Sequence, residues 1–137
     1  MGAARLSLVT FALGILLGLF GRGYLRHSIY LEPRASKLMI FNNTADSLNF
    51  TIMERRAARF MKWQPCNHPS KCGGRAIPPG RSGFMPYERI YQWYPGCDVV
   101  VFWWQLLPDS LAGNGYRLDG IYEEYSSTPV KAVFNNN

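Results

Sequence analysis

Cys97–Leu107 reads CDVVVFWWQLL. The run has nine apolar positions, is rich in β-branched and aromatic side chains, and has Pro95-Gly96 before it and Pro108 after it. An unbroken apolar run of strand length suits a central β-strand covered on both faces. Side chains alternate along a strand, so Trp103 and Trp104 must face opposite sides of their sheet. If one ring fills a core, the other needs a second cover. The candidates are a partner subunit, a membrane surface or the long proline-rich loop upstream.

Working outward, the flanking segments also read as short strands separated by turn residues. Lys37–Phe41 (KLMIF) is a strand, and Asn42–Ser47 is a turn rich in residues that tolerate left-handed backbone. In Leu48–Met53, apolar Leu48, Phe50 and Ile52 alternate with polar Asn49 and Thr51. Glu54–Trp63 (ERRAARFMKW) fits a short basic helix or a strand; the β context favours strand. Gln64–Gly83 is a loop rich in Pro and Gly, and Glu88–Tyr94 is read as a strand. Beyond Leu107, Asn114-Gly115 marks a hairpin turn. Tyr116–Leu118, Ile121–Tyr125 and Val130–Phe134 complete the set. About seven short strands over about 100 residues predict an all-β domain, a small immunoglobulin-like β-sandwich or barrel.

The N-terminus differs in kind. Leu6–Phe20 (LSLVTFALGILLGLF) carries no charge and no amphipathic stripe, with Arg5 before it and Arg22 after it. Extended through Leu25 it reaches bilayer length, provided that Arg22 snorkels to the interface. No Ala-x-Ala cleavage pattern follows, so an uncleaved signal-anchor or transmembrane helix is expected. The organisation is then an anchor over 1–26, a linker over 27–36, a β-rich domain over 37–134 and a disordered tail over 135–137. Lysines and arginines beside the span favour a cytoplasmic domain. The start-signal arrangement and the cysteine spacing favour an extracytoplasmic one, periplasmic or lumenal, and the second reading is preferred.

Charge is uneven along the 137 residues. The formal net charge is +6, made up of +3 over 1–36, +6 over 37–81 and −3 from Ser82 onward. The basic excess therefore lies toward the anchor, and Arg22, Arg26, Arg55, Arg56 and Arg59 are candidate contacts to anionic lipid headgroups.

The cysteines support two chemistries. Cys66 and Cys72 close a short loop and form the preferred disulfide. The alternative is zinc held by Cys66, His68, Cys72 and Cys97, a sound ligand set without the usual C-x2-C spacing. Otherwise no cofactor is indicated. Trp63, Tyr91, Trp93, Tyr94 and Trp103 are the candidate binding surface, for a protein or, through Trp63, Tyr91 and Trp93, for sugar rings. Asn42-Asn43-Thr44 and Asn49-Phe50-Thr51 match the glycosylation pattern.

No nucleophile elbow, zinc-protease motif or phosphate-binding glycine loop occurs, and Glu123-Glu124 diverge on a strand. Nucleotide and nucleic-acid partners are not expected. The expectation is a membrane-anchored, non-enzymatic accessory domain that binds another protein at the membrane. A carbohydrate- or envelope-binding module and a metal-binding protein are the rivals.

Overall fold

The computed structural model describes residues 29–131. The expected anchor, with Arg22 and Arg26, lies outside them. Among the described residues no helix is long and apolar enough to cross a membrane.

Among the described residues, six strands form two antiparallel three-stranded sheets. β1 (Ile29–Pro33), β2 (Lys37–Asn42) and β4 (Ser82–Pro86) make the first, in the order β1-β2-β4. β3 (Asn49–Glu54), β5 (Asp98–Pro108) and β6 (Tyr116–Ser127) make the second, in the order β3-β5-β6. As CDVVVFWWQLL predicts, β5 is central: Ile52 pairs with Val101 on one side, and Glu124 pairs with Val101 on the other.

Period-two alternation explains how both sheets feed one core. Leu38 and Ile40 of β2 point inward, as do Leu48 just before β3, Ile52 on β3 and Val99, Val101 and Trp103 on β5. Tyr87 closes this core from the β4–β5 connection. It is fully buried, stacks on Trp93 at 5.4 Å and donates its hydroxyl to the Arg34 carbonyl of the β1–β2 turn.

Five expectations need correction. Ile29–Pro33, read as linker, is β1, because its apolar Ile29 and Leu31 pack on the core opposite β2. Glu54–Trp63 is not a strand after Glu54. The Glu54 carboxylate accepts the Ala57 N–H at 2.7 Å and nucleates a 3-10 turn at Ala57–Arg59. Glu88–Tyr94 is also irregular. A 3-10 turn occupies Tyr87–Arg89, and Gln92 takes φ 58°, which an extended run cannot contain. The strand in this region is Ser82–Pro86, three residues of which lie beyond the expected loop. Tyr116–Leu118 and Ile121–Tyr125 are one strand. Two residues, Asp119 and Gly120, stand opposite Gln105 as a bulge, and Gly120 supplies the positive φ of 70°. Val130 and Lys131 form a bend rather than a strand, and the remainder of that expected strand lies outside the described residues.

Candidate functional site

The loop between β3 and β4 decides what β5 shows to solvent. Cys66 and Cys72 are disulfide-bonded, as their spacing predicted. The His68 side chain accepts from the Ser70 N–H and caps the 3-10 turn Pro69–Lys71 inside the bridge. The loop lies on the outer face of the second sheet. Trp63 packs on Phe102 at 4.9 Å and on Trp104 at 5.6 Å. The Trp104 indole N–H donates to the Cys66 carbonyl at 3.0 Å, and the Asn114 side chain donates to the Asn67 carbonyl. Of the three possible covers, the proline-rich loop is therefore the one that shields Trp104, which is 5% exposed, while Trp103, at 2%, fills the core.

The zinc ligand set does not assemble. Cys66 and Cys72 have spent their thiols on each other, and Cys97 is buried at the start of β5, where Thr128 donates to its carbonyl at 2.8 Å. Among the described residues no three His, Cys, Asp or Glu side chains are close enough to hold a metal. A direct check is thiol counting. Of three cysteines, one should react per chain in non-reducing guanidinium, none in native buffer, and three after reduction. Three reactive thiols without reductant would contradict the bridge. Replacing Cys66 and Cys72 by Ser should cost about 2–3 kcal/mol, the loop-closure entropy of so short a ring, measured by denaturant unfolding.

The glycosylation pattern at Asn42 is blocked in the folded chain. Its amide donates to the Asp46 and Ile77 carbonyls and its oxygen accepts from Thr44, all in a buried cluster. Asn49 is buried as well.

The aromatic candidates divide. Trp103 is core. Trp63 faces the sheet, and Trp93 stacks on Tyr87 while donating to Thr128, so each has a ring face packed against the domain. Tyr91 and Tyr94 remain exposed, at 44% and 48%, and the structure gathers Phe60 (86%) and Met61 (38%) beside them. These four line one shallow groove of about 370 Å³. Two backbone bonds assemble it: Glu54 N–H to the Tyr91 carbonyl and Arg55 N–H to the Asp98 carbonyl, both 2.9 Å. The left-handed residue Gln92 turns the chain between Tyr91 and Tyr94. Phe60 and Met61 escaped the sequence reading because a strand through Glu54–Trp63 would have buried alternate residues. The signal that could have found them was the cluster of Arg55, Arg56, Arg59 and Lys62 around two adjacent apolar residues, a poor pattern for either face of a small sheet.

The register places this groove in the fold. Ile29 pairs with Asn42, and Leu48 bridges Ile77, at one end of the sheets. Lys37–Pro86, Glu54–Val99 and Asp98–Ser127 pair at the other. Arg55, Arg56, Arg59, Phe60, Tyr91 and Tyr94 attach to the second end. A strand of five or six residues, about 16–20 Å, separates them from Ile29.

No family model, curated protein or solved structure matches the chain.

Proposed function

We propose that this chain is a membrane-anchored, non-enzymatic binding domain that engages another protein through the Phe60–Tyr94 patch. The observation that carries this reading is the convergence of four large apolar side chains in one exposed groove at the end of the sheets remote from Ile29. Exposed apolar clusters of this kind, rimmed by polar residues, are characteristic of interaction sites, and Tyr and Arg are enriched where binding energy concentrates.

The placement follows from chain direction. The apolar segment Leu6–Phe20 is the anchor, and eight residues, Gly21 to Ser28, join it to Ile29. The loops at Asn43–Ser47 and Pro78–Arg81 then face the bilayer. The patch points away from it, with the domain on the extracytoplasmic side, where the disulfide is chemically at home. On this reading Arg55, Arg56 and Arg59 serve a protein partner, while Arg22 and Arg26 are left to the lipid surface.

The same reading takes the fold as immunoglobulin-like. Sheets ordered β1-β2-β4 and β3-β5-β6 correspond to strands A-B-E and C-F-G of that sandwich with strand D missing. The chain between β3 and β4 replaces strand D with two devices, the basic turn that builds the groove and the disulfide loop that covers Trp104.

The test compares full-length native chain with the Phe60→Ala/Tyr94→Ala variant, each purified in mild detergent from membranes of its host. Both substituted side chains are exposed, so the fold should persist, with melting temperatures within about 2 °C of each other. A partner retained by the native chain should be lost from the variant, with an affinity drop of about 30-fold or more. Identical protein sets from the two preparations would refute the docking role.

A further inference from the structure

The turn Ala57–Arg59 is a ridge between two grooves. On one side lie Phe60, Met61, Tyr91 and Tyr94. On the other, a groove of about 230 Å³ is lined by Arg55, Ala58 and Arg59 from the ridge and by Phe102, Glu123 and Tyr125 from the outer face of the second sheet. Building on the docking role proposed above, we infer that the surface selects an acidic, aromatic-bearing protein segment. Its carboxylates sit against Arg55 and Arg59 while its ring enters the groove beside Phe60.

Charge complementarity carries this. Residues 55–62 hold four cations, Arg55, Arg56, Arg59 and Lys62, and no acid. The ion pairs among the described residues are Arg34–Glu32 and Arg117–Asp109, so none of the four cations has a carboxylate partner there. Two acids beside the ridge are otherwise engaged, and Asp98, whose carbonyl accepts the Arg55 N–H, forms no ion pair with it. The Glu54 carboxylate is turned to the Ala57 N–H, and the Glu123 carboxylate accepts the Tyr125 hydroxyl at 2.7 Å. The Arg55 guanidinium lies 4.8 Å above the centre of the Tyr125 ring. Stacking holds the planar fork in place while its N–H donors stay open at the edge, so a carboxylate meets a pre-ordered bidentate site and less side-chain entropy is lost on binding. Val100 and Phe102 floor the groove with apolar surface that weakens competition from water. Anionic lipid offers the same charge chemistry. It fits less well, because these arginines attach to the end of the sheets opposite Ile29.

The experiment is an unbiased selection of displayed random peptides on the full-length chain in phosphatidylcholine nanodiscs. It is run in parallel on Arg55→Gln/Arg59→Gln and on Phe60→Ala/Tyr94→Ala; these substitutions are all at the surface, and equal melting temperatures confirm the fold. The native chain should enrich peptides with Asp or Glu flanking an aromatic residue. Replacing those acids by Asn or Gln should weaken binding about tenfold or more, and added salt should weaken it progressively. The arginine variant should keep aromatic peptides but lose the preference for acids, and the Phe60 variant should lose both. Aromatic peptides with no acidic preference would overturn the inference and leave the docking role intact. Absence of any Phe60-dependent peptide would overturn both. Loss of the acidic preference in discs containing phosphatidylglycerol would assign the arginines to lipid and overturn the inference alone.

Discussion

Tyr87→Ala is expected to destabilise the domain by about 3–5 kcal/mol, the cost of deleting a fully buried aromatic ring from a packed core. Domains of this size hold about 5–15 kcal/mol in total, so much of the folding free energy would go, and the melting temperature should fall by roughly 15–30 °C. The size of the effect follows from position. The Tyr87 ring packs against Trp93, and its hydroxyl reaches the Arg34 carbonyl, so one side chain joins the β1–β2 turn to the β4–β5 connection. Tyr87→Phe separates the two contributions. It keeps the ring, removes one hydrogen bond and should cost about 1 kcal/mol. Burial pushes the Tyr87 phenol above the ordinary tyrosine value of 10.0. The folded chain thus prefers the neutral ring. Its stabilising effect is complete below pH 10.0 and fades as the pH rises through the higher folded value, and the Phe variant should lack that alkaline loss. Chemical denaturation of the three proteins at neutral and alkaline pH reads all of this. A Tyr87→Ala protein with unchanged stability would mean that the core is assembled differently.

Trp104→Ala is the second large effect, also about 3–5 kcal/mol. Here the loss falls outside the inter-sheet core. Trp104 fills the space between the second sheet and the disulfide loop, touches Trp63 and holds the Cys66 carbonyl. Without it the bridge still closes its ring, but the ring loses its seat. Amide hydrogen exchange should therefore quicken in residues 63–76 and in β3, while β2 and β4, on the other sheet, keep their protection. Uniform acceleration across both sheets would contradict the loop's role as a local cover.

What was readable in the sequence tracks how locally each feature is determined. The central strand was legible because burial on both faces leaves no polar position between Val99 and Trp104. β2 and β3 were legible from alternation. The Cys66–Cys72 bridge was legible from spacing, and the need for a second cover over one tryptophan followed from strand geometry alone. β1 was not legible, because IYLEP is short and ends in proline, so only its pairing with β2 makes it a strand. The Glu88–Tyr94 reading failed for the opposite reason: its residues have strand propensity, yet Pro86 and the left-handed Gln92 break the extended run. The docking groove was half legible. Tyr91 and Tyr94 were singled out by type, but Phe60 and Met61 join them only through tertiary hydrogen bonds from Glu54 and Arg55, which no local pattern encodes.

The proposed placement has the groove facing away from the bilayer. The most direct measurement places a fluorophore, through an unnatural amino acid, at Asn43 or at Phe60 of the full-length chain in nanodiscs whose lipids carry a headgroup quencher. Strong quenching is expected at position 43 and little at position 60. Strong quenching at position 60 with little at 43 would turn the groove toward the membrane and contradict it.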